Sequence, residues 1–126
     1  MGRSWWGWGT VEDAVVGSEL NELIGRVRGL ALESELVDHQ PPAVADLEVR
    51  ASRVAPPASL ARLCSAERED RVGHAHGKAF RDVVRNLHGQ LHHVPDLIVR
   101  PRVESDVVDV LDWCSRTGTA VIPYGG

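Results

Sequence analysis

Residues 95–126 read PDLIVRPRVESDVVDVLDWCSRTGTAVIPYGG. Leu97–Val99 has the composition of a brief strand and is closed by Pro101. Ser105 is placed to cap a helix on which Val107, Val108, Leu111 and Cys114 share a face, and Gly118 is placed to end it. Ala120–Pro123 then reads as a second strand that opens into Gly125–Gly126. A strand, helix and strand of this length predict a parallel pair joined by a right-handed crossover. The expected class is therefore α+β, an N-terminal helical segment followed by a first βαβ unit. Glycines at a strand end let backbone amides approach a phosphate, and the chain reaches its last residue at the threshold of such a loop. It reads as the front end of something longer.

The 126 residues fit one modest domain, or a small domain with part of another. An apolar content of 43% is close to the globular average and supports a core. The net charge of −4, with arginines scattered among carboxylates, argues against nucleic acid or an anionic membrane as main partner. Cys64 and Cys114 stand in no metal-ligand or C-x-x-C spacing, so two reduced, packed thiols are expected. No run approaches a membrane span or a signal peptide, and the chain reads as cytoplasmic.

Upstream, residues 5–9 are W-W-G-W-G, and Thr10 with Asp13 forms a variant capping box. From Ser18, the residues Leu20, Leu23, Ile24, Val27 and Ala31 recur at helical spacing. Pro41–Pro42 and Pro56–Pro57 punctuate an irregular connector over 38–57. A short helix is expected over Ser59–Ala66. Another is expected over 79–88, where Phe80, Val83, Val84 and Leu87 make a stripe and Gly89 a cap.

The glycine loop at Pro123, Tyr124, Gly125 and Gly126 stands between two readings, phosphate binding and a plain turn. No G-x-G-x-x-G is present. Gly73-His-Ala-His-Gly-Lys78 is one residue short of a P-loop and puts Ala79 where Ser or Thr must bind magnesium, which excludes that reading. His39, His74, His76, His88, His92 and His93 invite a metal, but neither cysteine is near, so polar loop histidines are the simpler account. The indoles Trp5, Trp6 and Trp8 lack the interleaved basic residues of a base-stacking surface, and packing against a large body suits them better. A helix-turn-helix reading lacks a basic recognition helix. No nucleophile elbow or carboxylate pair stands out, and no catalytic residue is named.

Taken together, W-W-G-W-G at 5–9, H-A-H-G-K at 74–78 with F-R-D-V-V-R at 80–85, and Pro95–Asp96 resemble the N-terminal region of alkyldihydroxyacetonephosphate-synthase-like proteins. V-R-P-x-x-x-x-D-V-V-x-V-L-D-W-C from Val99 to Cys114, followed by A-V-I-P-Y-G-G, resembles the opening of their FAD-binding domain, which is of the vanillyl-alcohol oxidase and p-cresol methylhydroxylase type. The likeness covers nearly the whole chain except the generic residues 33–57. In that family the strand-end loop runs P-x-G-G-G-T-S around the FAD pyrophosphate. Pro123, Tyr124, Gly125 and Gly126 match its first four positions. The resemblance implies residues 1–94 as a Trp-motif and helical region and 95–126 as the incomplete start of the FAD domain. It implies FAD and the remainder of a parent enzyme as partners, and a homodimer of that parent. The parent would be a FAD-dependent oxidoreductase or an alkyl-transferring synthase, and this portion alone would be inactive. The alternative is a self-standing helical interaction module without cofactor.

Overall fold

The computed structural model describes residues 2–30, 37 and 39–125. Along the described chain run helix α1 (Gly17–Arg28), a 3-10 turn (Val44–Asp46), a second 3-10 turn (Ala61–Leu63) and strand β1 (Cys64–Ser65). Helices α2 (Arg68–Gly73) and α3 (Phe80–Leu87), strand β2 (Ile98–Val99) and helix α4 (Glu104–Thr117) complete it. The order is mixed helix and strand, as the sequence implies, with a two-stranded sheet.

Trp113 decides how the last helix docks. With Val110 and Cys114 it is buried against Leu60 and Leu63, and Val54, Cys64, Leu97 and Val99 pack around them. An indole removes more apolar area from water than any other side chain, about 150–250 Å² for an aromatic ring, so the face carrying it wins. The expected face of Val107, Val108 and Leu111 lies instead on the surface, and only Cys114 of that set is buried. Helix α4 thus carries two adjacent apolar arcs, of which one is covered.

Ser105 is not the cap. The helix starts after Val103, and the carboxylate of Asp106, buried in the first turn, accepts from the amides of Arg102 (2.9 Å) and Val103 (3.3 Å). A carboxylate reaching back to the amides ahead of the helix does half the work of a capping box and suits the positive end of the dipole. Gly118 ends α4 with φ 64°, as its position implies.

The expected parallel pair is not formed among the described residues. Strand β2 pairs antiparallel with β1, Cys64 opposite Val99 and Ser65 opposite Ile98, and the amide of Arg100 adds a bond to the Leu63 carbonyl at 2.9 Å. Residues 120–125 leave α4 with no ladder partner and are exposed, Ile122 to 86%. A strand exists by its pairing. The helix expected over Ser59–Ala66 is a turn and a 3-10 turn running directly into β1, because Cys64 is drawn into extended pairing.

Helix α1 follows its apolar periodicity, yet none of its residues is buried and Leu23 is exposed. Ala31, the last member of its stripe, lies outside the described residues. The connector over residues 39–57 is irregular apart from the Val44–Asp46 turn, and it is held by arginines. Arg68 donates from Nε to the Val44 carbonyl at 2.9 Å and also bonds the Leu47 carbonyl. Arg71, buried on α2, donates to the carbonyls of Pro95 (2.7 Å) and Arg50 (2.8 Å). Buried main-chain acceptors must be met, and a guanidinium can meet several at once.

Candidate functional site

The tryptophan segment is a closed loop. The Ser4 amide donates to the Gly9 carbonyl at 3.1 Å, Val11 to Gly2 at 3.0 Å, and Arg3 and Thr10 form an antiparallel bridge. Gly9 takes φ 80°, a conformation that favours glycine, and the Ser4 hydroxyl accepts from the Gly7 amide at 3.1 Å. Thr10 and Asp13 do bond side chain to side chain at 2.8 Å, but they shape a turn, and α1 starts later at Gly17.

This loop is clasped by the H-A-H-G-K segment and by α3. The Lys78 ammonium donates to the carbonyls of Trp5 at 2.7 Å and Ser4 at 3.3 Å. Asn86 donates from Nδ2 to the Trp6 carbonyl at 3.2 Å, and its Oδ1 pairs with His76 Nδ1 at 2.9 Å. Asn86 is 2% exposed, so each of these bonds replaces water that cannot reach it. Burial pushes the Lys78 amine below its ordinary value, and the charge of Arg3 acts in the same direction.

The sequence pattern predicts one apolar stripe on α3 from Phe80, Val83, Val84 and Leu87. Phe80 is instead 84% exposed, and the buried member of the helix is Asn86. One sequence signal for it existed: an amide in the last turn of a helix, with His88 two positions on. Trp5 and Trp6 are half-buried in the clasped loop, while Trp8 projects at 79% exposure.

The glycine loop comes close to the same region. Tyr124 stacks edge-on against His74, ring centroids 4.7 Å apart, and His74 Nδ1 bonds the Asp70 carbonyl at 2.7 Å. Asp70 in turn is gripped through both oxygens by Arg100 at 2.9 and 2.6 Å. That grip, with a bond from Ser65, lowers the Asp70 carboxyl to about 2. Pro123, Tyr124 and Gly125 are all exposed, and a Cβ added at Gly125 would meet open space. Gly126 lies outside the described residues.

Among the histidines, His39 and His88 meet edge-on at 5.0 Å and His92 and His93 at 6.5 Å. Among the described residues no three of His, Cys, Asp and Glu converge as metal ligands. Nor is any described helix long and apolar enough to cross a membrane. A second carboxylate, Asp96, is held by Arg50 and by the Arg53 amide (2.9 Å) and guanidinium (3.1 Å), which keep it well below the usual carboxylate range.

No family model matches the chain. Alkyldihydroxyacetonephosphate synthase of Dictyostelium discoideum is 36% identical over 56 residues, 44% of this chain and 9% of that protein. Its counterpart in Trypanosoma brucei brucei is 30% identical over 56 residues, again 44% of this chain and 9% of the relative. The Caenorhabditis elegans synthase is 29% identical over 62 residues, 49% of this chain and 10% of the relative. Two solved structures of alkyldihydroxyacetonephosphate synthase overlay 98% of this chain, with TM-scores of 0.78 and 0.73 at 22% and 21% identity. The overlaid part is 28% and 27% of those chains, so this chain spans a minor part of the proteins that it matches. In sequence over part of its length, and in fold over nearly all of it, the chain resembles the alkyldihydroxyacetonephosphate synthases.

Proposed function

We propose that this chain is the N-terminal portion of a FAD-dependent enzyme of the synthase type. In this reading residues 1–94 are a Trp-motif and helical region, and residues 95–126 begin the FAD-binding domain. Pro123, Tyr124, Gly125 and Gly126 start the loop whose amides turn toward the pyrophosphate, with the rest of the cradle supplied by further polypeptide. FAD, when bound, supplies the reactive group, and the protein supplies position and electrostatics. The parent exchanges an acyl for an alkyl group on an acylated dihydroxyacetone phosphate, or is a FAD-linked oxidoreductase. None of the catalytic residues is assigned to this chain.

The clasp between the two motifs carries this reading. W-W-G-W-G and H-A-H-G-K, which bear the resemblance separately in sequence, form one hydrogen-bonded unit through Lys78 and Asn86. Support also comes from the uncovered apolar arc of α4 and from Ile122, which suit a larger sheet than the two strands described.

The test compares flavin binding by this chain with binding by a chain extended along its natural reading frame. The short chain should quench FAD fluorescence weakly or not at all, and the extended one should purify with a stoichiometric flavin spectrum. Stoichiometric flavin on the short chain would overturn the incomplete-site reading. A stop codon directly after Gly126 would overturn the parent-enzyme reading. The second reading, an interaction module, is favoured by Trp8 and Phe80 standing on the surface. It predicts that the short chain captures a partner and that Trp8→Ser with Phe80→Ser abolishes the capture.

A further inference from the structure

Beyond Thr119 the chain leaves its hydrogen-bonded support. Among the described residues no hydrogen bond holds positions 120–125, and the side chain that ties this segment back is Tyr124. It meets His74 edge-on, with ring centroids 4.7 Å apart and planes inclined at 61°. In such a pair the positive edge of one ring faces the negative face of the other.

His74 is held independently of Tyr124. It follows the last residue of α2, and its Nδ1 donates to the Asp70 carbonyl at 2.7 Å. A carbonyl can only accept, so Nδ1 carries the proton and the bond sets the plane of the ring. Helix α2 is itself tied down on two sides. Arg71 donates to the carbonyls of Pro95 and Arg50, and Arg100, at the end of β2, grips both oxygens of Asp70. The imidazole residue is half-buried, whereas Tyr124 is 46% exposed. The histidine is therefore the fixed member of the pair, and the tyrosine is the one it places.

We propose that His74 is a positioning residue for the flavin loop: its ring seats Tyr124 and so fixes where the glycines after it begin. This role rests on the reading above, that Pro123, Tyr124 and Gly125 start a pyrophosphate loop. Gly125 has no side chain to pack, so the backbone there takes its place from the residue before it. Amides that face a ligand must be held to within about 0.5 Å of the productive geometry. The H-A-H-G-K motif then serves two neighbours. His76 and Lys78 clasp the tryptophan loop, and His74, at the other end of the motif, seats the glycine loop. His74 touches no reacting atom in this role.

Two measurements test this. Tyr124 is the one tyrosine of the chain, so its ring protons are unambiguous by NMR. In the 126-residue chain they should lie away from free-peptide positions and cross-relax with the His74 ring, and His74→Ala should return them to those positions. Free-peptide positions in the folded wild type, or signals unmoved by His74→Ala, would overturn the seat. The second measurement is FAD affinity in the chain extended along its natural reading frame. His74→Ala and Tyr124→Ala should each weaken it about fivefold, and the double change should weaken it no more than either alone. Effects that multiply, or no effect from His74→Ala, would overturn the positioning role and leave the parent-enzyme reading in place. An extended wild type that binds no FAD would overturn the loop reading and the role with it.

Discussion

Asn86 holds Trp6 across 80 positions of sequence, its side-chain amide donating to the indole residue's carbonyl at 3.2 Å while its oxygen engages His76. One buried amide therefore joins the first ten residues to the third helix. Asn86→Leu keeps the branching of the side chain and removes both partners, leaving an unmet carbonyl and an unmet imidazole nitrogen. The expected loss is about 1–3 kcal/mol of unfolding free energy in urea, with the emission of Trp5 and Trp6 shifting red. Asn86→Asp keeps an acceptor for His76 but sets a second oxygen against the Trp6 carbonyl, so it should also destabilise.

Trp113 and Trp8 should behave as opposites. Trp113 fills the centre of the core and Trp8 is exposed. Trp113→Ala is expected to cost about 3–5 kcal/mol, and Trp8→Ala less than about 0.5 kcal/mol. Denaturant midpoints at unchanged slope read the difference directly.

The Arg100–Asp70 pair predicts an acid limb. The Asp70 carboxyl is lowered from 3.8 to about 2, first by its bonds to Arg100 and next by Ser65. A carboxyl depressed by folding gives stability that is complete above its unfolded value, and that stability drains away as pH falls from 3.8 through about 2. The Arg100 side chain is more than half exposed, so the pair is worth at most about 1 kcal/mol. Arg100→Met should flatten the part of the stability profile below pH 4, and an unchanged acid limb in that variant would count against the assignment.

Two glycines separate strain from packing. Gly118 ends α4 at φ 64° with open space around a would-be Cβ, so Gly118→Ala should cost about 1 kcal/mol from backbone strain alone. Gly89 has φ 65°, and a Cβ there would meet Leu47 Cδ2 at 3.3 Å and Pro42 at 3.5 Å. Gly89→Ala should therefore cost more than Gly118→Ala in the same thermal melt.

Local signals in the sequence were strong wherever one residue type had one use. The stops at Gly89 and Gly118 and the extents of α3 and α4 followed from caps and periodicity, and each stands within a residue or two. What failed was choice of partner. Helix α4 has enough apolar residues for two faces, and periodicity has no way to say that the face with Trp113 docks while Val107 and Leu111 do not. The segment Ala120–Pro123 has strand chemistry, but pairing is a property of neighbours rather than of the segment itself. Helix α2 is not legible because Arg68, Glu69, Asp70 and Arg71 carry no apolar stripe; it is positioned by guanidinium bonds to distant carbonyls, by the Asp70–Arg100 pair and by buried Val72. At the candidate site both motifs were legible, and the clasp that joins them through Lys78 and Asn86 was not.

The two-residue ladder between Cys64–Ser65 and Ile98–Val99 has a kinetic consequence. Closing the long loop from Ser65 to Ile98 costs chain entropy before any bond is made, and a ladder this short returns little against it. The sheet is too small to nucleate the molecule. The reversal of the chain is held instead by Trp113 against Leu60 and Leu63, whose buried apolar area outweighs that of the ladder.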